Sequence, residues 1–156
     1  MIENRSFYTV TDEPTAELYR AIIAEACHNC DRFSLVQRNE LVFDEEATKF
    51  FVELHPHLLQ ERIVSEWPGT QLLGGQAVLR EYRLTAATVA ILARHVDGLY
   101  DWCQPSLPED LVFWRPSAGP WLVAITHERD AYFDISPRER DELLRAIPAL
   151  VELLSP

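Results

Sequence analysis

The sequence predicts an α+β fold: a mixed or antiparallel sheet with helices packed on it. Two patterns carry that prediction. Short β-prone runs alternate with amphipathic helical stripes along the first two thirds of the chain. Residues 111–135 then read as a C-terminal three-stranded meander separated by tight turns. Composition agrees: 156 residues, 47% hydrophobic and 10% aromatic, supply the core of one domain spanning residues 1–156.

Ser6 to Val10 is a short β-prone run. Thr11 or Asp12 caps a helix over about 14–27, with Pro14 tolerated in its first turn and Leu18, Ile22 and Ala26 at helical spacing. Arg32 to Gln37 alternates as a strand. Asp44 caps a second helix, whose apolar stripe is Ala47, Phe50, Phe51, Leu54 and Leu58. Pro56 kinks or splits it, and the helix is expected to resume through Leu59 and Ile63. Trp67-Pro68-Gly69-Thr70 stops it, and Gly74-Gly75 marks another turn.

Ala77 to Arg83 reads as a strand, and Thr85 caps a third helix carrying Val89, Leu92 and Val96. Residues 104–108 form a stiff linker, and a break near 98–110 is the one place where two subdomains could part. Leu111–Arg115, Trp121–Thr126 and Ala131–Ile135 are the meander strands. Ser136-Pro137-Arg138-Glu139 is a capping box, opening a terminal helix through Leu154 that is bent or broken near Pro148.

Charge narrows the function. Fourteen Lys and Arg against 25 Asp and Glu give a net charge of −11. Non-specific phosphate-backbone binding needs a basic face, so no direct nucleic-acid partner is expected. No apolar run is long enough for a membrane span, and the first residues lack the pattern of a signal peptide. A cytoplasmic location is the expectation. Three cysteines are too few for a disulfide framework.

Cys27-His28-Asn29-Cys30 has a spacing that suits zinc or thiol chemistry, but no second ligand pair completes it, and a helix C-terminus disfavours a thiolate. Cys27 and Cys30 are therefore metal candidates without a full ligand set, and no cofactor is expected. His55-Pro56-His57 points its rings to different faces of a helical stripe. His127-Glu128 closes the middle meander strand and is the candidate catalytic pair, His127 as general base. Neither a phosphate cradle nor a nucleophile elbow occurs.

Aromatics amid carboxylates suggest recognition instead. Asp97, Tyr100, Asp101, Trp102, Glu109 and Asp110, with Trp67, form the expected partner-binding set: rings as anchors, acids to steer a basic protein.

The segments Pro108–Phe113, Pro120–Val123, His127-Glu128 and Ala131-Tyr132, with Trp67–Thr70, resemble small bacterial proteins of the polymorphic-toxin immunity type. That resemblance implies a cytosolic interaction protein. The leading expectation is thus a protein-binding module that inhibits a basic partner, as an immunity protein or antitoxin does. The alternatives are a small hydrolase or transferase using His127 and Glu128, with or without zinc, and a homo-oligomeric structural or adaptor protein that pairs through Leu143–Leu154.

Overall fold

Among the described residues, side-chain caps set three of the four helix starts. Asp44 Oδ1 accepts from the amides of Glu46 (2.9 Å) and Ala47 (3.2 Å), opening one helix at Glu45. Thr85 and Thr88 exchange reciprocal bonds at the next, and Ser136 and Glu139 do so at the last. These caps are the ones the sequence advertises.

The computed structural model describes residues 4–156. In chain order the elements are β1 (Ser6–Val10), α1 (Ala16–Asn29), β2 (Arg32–Arg38), α2 (Glu45–Leu54), β3 (Leu58–Val64), β4 (Glu66–Trp67), β5 (Thr70–Gln71), β6 (Ala77–Arg83), α3 (Ala86–His95), β7 (Glu109–Trp114), β8 (Pro120–Ile125), β9 (Asp130–Ile135), α4 (Pro137–Ala146) and β10 (Leu154–Ser155). Short 3-10 turns cover His55–His57, Leu99–Asp101, Thr126–Glu128 and Pro148–Glu152.

Eight strands form one sheet in the order β10-β1-β9-β8-β7-β2-β6-β3, with β4 and β5 as a separate hairpin. Every neighbouring pair in the sheet is antiparallel. The fold is α+β, and β7-β8-β9 is the expected meander, lying within the sheet. β7 pairs with β2, so strands from both sides of the 98–110 break share this sheet.

Strand alternation divides the meander between two faces. Leu111, Phe113, Leu122, Ala124 and Phe133 join Tyr19, Ile22, Ile23, Phe50 and Leu92 of the helices in the main core. Val112, Val123 and Ile125 face the other way. On that second face the β4–β5 hairpin folds back, so Trp67 covers Val36, Ala77 and Leu79. Pro68 and Gly69 make the turn between Trp67 and Thr70, which are paired across it. Gly69 has φ +85°, and a Cβ there would sit 2.6 Å from Ile125 Cγ1. A bidentate pair between Arg115 and Glu139 (3.0 Å at both nitrogens) docks α4 against the end of β7.

Four sequence expectations are corrected. Residues 58–64 form β3, not a resumed helix. Pro56 cannot donate to a helical ladder, and the following run pairs with β6 from Leu58↔Tyr82 to Val64↔Ala77. Trp67–Thr70 is a hairpin rather than a simple stop. α1 begins at Ala16, because residues 13–16 are held by the 97–100 segment. Ala16 N donates to Asp97 O (2.6 Å), Leu99 N to Pro14 O (3.1 Å) and Tyr100 N to Glu13 Oε1 (2.9 Å). The terminal helix breaks near Pro148, one of the two outcomes expected there, and ends at Ala146, but Leu154–Ser155 returns as β10 beside β1 rather than continuing it.

That last finding bears on oligomerisation. Leu143, Ile147, Leu150 and Leu154 are all buried in the chain's own core, which leaves Val151 as the exposed large apolar residue of that segment. The stripe expected to pair with a second copy is already covered. Among the described residues no helix is long and apolar enough to cross a membrane.

The close approach at Gly69 gives a test. Gly69→Ala adds a methyl group against Ile125 at a left-handed backbone position, and should cost about 1–3 kcal/mol in urea unfolding. Gly74→Ala, where the added atom meets open space, should change stability by less than about 0.5 kcal/mol.

Candidate functional site

β7 opens with two consecutive carboxylates, Glu109 and Asp110, and both are fully buried at 0% exposure. Burying a charge is costly unless it is paired and hydrogen-bonded, so the partners of these groups define the site. Asp110 has φ +56°, a left-handed conformation that Asp tolerates better than most residues. The β2–β7 register shifts between Ser34 and Val36, directly across from this start. Such backbone strain costs about 1–3 kcal/mol and persists only where the surroundings enforce it.

The surroundings do enforce it. Asp110 Oδ1 accepts from the Thr126 amide (2.8 Å) and Oδ2 from the Trp67 indole (2.8 Å). One carboxylate therefore ties β7 to the end of β8 and to the β4–β5 hairpin. Glu109 Oε2 accepts from Arg38 Nε at 3.0 Å. Its Oε1 accepts from the Gln104 amide (3.3 Å) and lies 4.0 Å from Cys103 Sγ. His127 Nε2 is 3.0 Å from Oε1 and 2.9 Å from Oε2. The Arg38 guanidinium also stands 4.0 Å from Asp110 Oδ2 and lies over the Trp67 ring at 5.3 Å.

Two buried carboxylates thus share one guanidinium, and Glu109 alone also meets an imidazole. Arg38 is 17% exposed and His127 is 47% exposed at the side chain. The imidazole is the site's opening to solvent. Burial pushes the Cys103 thiol up, and the nearby Glu109 and Asp110 carboxylates push it further against the opposing Arg38. Cys103 is held as a thiol, which is the wrong state for a nucleophile.

The expected residues divide unevenly. His127 does meet a carboxylate, but it is Glu109 on the neighbouring strand β7; its exposed chain neighbour Glu128 has no hydrogen bond or ion pair to it. The expected His127–Glu128 pair is therefore replaced by His127–Glu109. Of the expected partner-binding set, Asp97 and Asp101 are exposed. Trp102 (0%), Tyr100, Trp67, Glu109 and Asp110 are buried. The Trp102 indole donates to Tyr19 Oη (3.2 Å), which donates to Leu92 O (2.8 Å). That ring anchors the core, and the stretch 97–110 does not form a continuous exposed face.

Cys27 and Cys30 are free thiols that join no group of three metal-ligating side chains among the described residues. Cys30 is buried in the main core, and its thiol is pushed up to about 12 by that burial. Sequence reasoning missed Arg38, and it did not join Cys103 to Glu109 and His127. Neither sits in a motif, and only the sheet brings them to Glu109.

A second surface lies at the far end of the sheet. β3 is an edge strand: it pairs with β6 on one side and with no described strand on the other. Leu59 (45%) and Ile63 (69%) are exposed on it, and Val52 (71%) is exposed on adjacent α2. A cleft of about 370 Å³ runs between α2 and the sheet, lined by Phe43, Phe51, His55, Glu61, Arg80 and Tyr82. A second, of about 460 Å³, shares Phe51 and His55 and continues over Val52.

Asp110→Asn retains one acceptor but turns an amide N–H toward the Thr126 amide or the Trp67 indole. It should cost about 1–3 kcal/mol in urea unfolding, whereas Glu128→Gln should stay within about 0.5 kcal/mol of the parent.

Comparison with protein families, with curated proteins and with solved structures finds no match.

Proposed function

We propose that this chain is a protein-binding module that accepts an extended segment of a basic partner along β3. The observation that carries the reading is the unpaired edge of β3, seven residues long, with Leu59 and Ile63 exposed and with Leu58 and Glu61 of the same strand lining a cleft against α2. An open edge offers backbone hydrogen bonds, and flanking pockets select side chains.

Charge chooses the occupant. Residues 40–66 carry seven carboxylates (Glu40, Asp44, Glu45, Glu46, Glu53, Glu61 and Glu66) against Lys49 and Arg62. Arg80 and Arg94 reach in to answer Glu61 and Glu53, and Lys49 answers Glu46. Glu40, Glu45 and Glu66 have no cationic partner among the described residues. A second copy would bring like charge to the same edge, whereas a basic segment is attracted to it. The bulge between Leu58 and Gln60, with Glu61 and Arg62, further deters self-pairing of the edge.

Inhibition of a basic protein, in the manner of an immunity protein, fits this arrangement. The acidic edge would occupy a surface that the partner uses for an anionic ligand. Relative to the sequence expectation, the binding face moves from 97–110 to the β3–α2 sector, because the rings of the earlier stretch are spent in the core.

The tagged protein should retain a basic partner from nuclease-treated native lysate and release it at high salt. Leu59→Lys with Ile63→Lys should weaken retention by about tenfold or more, and Asp97→Ala with Asp101→Ala should not. Undiminished retention by the β3 variant, or a partner with no basic character, would contradict the reading. Sedimentation of the free protein should give a monomer at micromolar concentration; a dimer broken by the β3 variant would make a second copy the occupant.

A further inference from the structure

We propose that Cys103 Sγ, Glu109 Oε1 and His127 form a three-donor zinc site whose fourth position is open to water on the side where His127 is exposed. This inference is independent of the β3 edge. The donor atoms of these three residues all lie within 4.8 Å of one another, and the described residues contain one such group.

The donor chemistry selects the ion. A thiol, a carboxylate and an imidazole are the sulfur, oxygen and nitrogen ligands that zinc takes together, whereas magnesium and calcium prefer all-oxygen sites. Zinc–ligand distances of about 2.0–2.3 Å in tetrahedral geometry place ligand atoms about 3.3–3.6 Å apart. The present separations, 3.0 Å from His127 Nε2 to Glu109 Oε1 and 4.0 Å from Cys103 Sγ to the same oxygen, straddle that range. Shifts of about 1 Å or less bring all three to one centre.

The supporting structure permits those shifts. Cys103 lies in the connection before β7, and His127 lies in the 3-10 turn after β8, so both can adjust without breaking a strand pair. Glu109 is held from behind: Arg38 Nε fixes Oε2 at 3.0 Å and leaves Oε1 facing the other two donors. A ligand carboxylate oriented by a second hydrogen-bonding group is the usual outer-shell arrangement of a metal site. Charge points the same way, because among the described residues the buried carboxylates of Glu109 and Asp110 have Arg38 as their one fixed cation. Zinc binding would displace the Cys103 thiol proton to solvent and add positive charge where it is deficient. Three protein ligands with an accessible fourth position match open zinc sites rather than closed structural ones.

Titration with zinc chloride against a chromophoric chelator tests the site. The wild-type chain should bind one zinc ion. Cobalt(II) in its place should show the near-ultraviolet charge-transfer absorption of a thiolate ligand. Cys103→Ser and His127→Ala should each weaken zinc by more than the roughly 10–100-fold that loss of an outer-shell partner costs, and Cys103→Ser should abolish the cobalt–thiolate band. Cys27→Ser should change neither. His127 is half-exposed, so its variant keeps the fold, which far-ultraviolet circular dichroism checks. Failure of the wild type to bind zinc stoichiometrically would overturn the proposal, as would equal binding by the Cys103→Ser and His127→Ala variants.

Discussion

The buried ion pair between Arg38 and Glu109 is the contact on which the centre of the sheet depends. Arg38 is the last residue of β2 and Glu109 the first of β7, so their 3.0 Å contact clamps the two strands where their ladder is interrupted. The same carboxylate receives the Gln104 amide and faces His127, and its neighbour Asp110 holds the Trp67 indole and the Thr126 amide. Chain segments far apart in sequence therefore converge on two adjacent carboxyl groups. Removing one partner of such a pair leaves a buried charge uncompensated, a loss of about 3–5 kcal/mol. Few other interactions in this fold concentrate so much on one point.

This arrangement gives the two ends of the sheet different characters. At one end, the short β10 pairs with Thr9 and Val10 and covers the outer side of β1 only in part. At the other, β3 is long, bulged and unpaired on its outer side. The centre is rigid because β7 and β8 are buried on both faces by the helices and the β4–β5 hairpin. A stiff centre beside the long open edge of β3 suits recognition by strand addition, since that edge is presented without a large ordering cost. The charged cluster at β7 and the open edge at β3 are separated by β2 and β6, so one can be altered while the other is kept.

Much of the fold was legible in the sequence, and the reasons are local. The caps at Asp44, Thr85 and Ser136, and the alternation through the meander, are short-range signals that survive tertiary packing. β3 was misread because Leu58, Leu59 and Ile63 extend the helical spacing of α2. Only pairing with β6 decides for the strand. β4 and β5 were read as a stop, since two-residue strands leave no periodicity. The site was legible in part: His127 was named, but its carboxylate was sought next door at Glu128. The true partner lies 18 residues away. Trp102 and Glu109 looked like a surface because residue type alone does not reveal burial, and 0% exposure of both inverts the reading.

The central claim is that the Arg38–Glu109 pair acts as one unit at the middle of the sheet. A double-mutant cycle in urea unfolding, with Arg38→Met, Glu109→Gln and both together, tests it most directly. Each single change should cost about 3–5 kcal/mol, and the double change should cost no more than either alone, giving a coupling of about 3 kcal/mol or more. Costs that add to within about 0.5 kcal/mol would show that the two groups stabilise the fold independently, and would contradict the account.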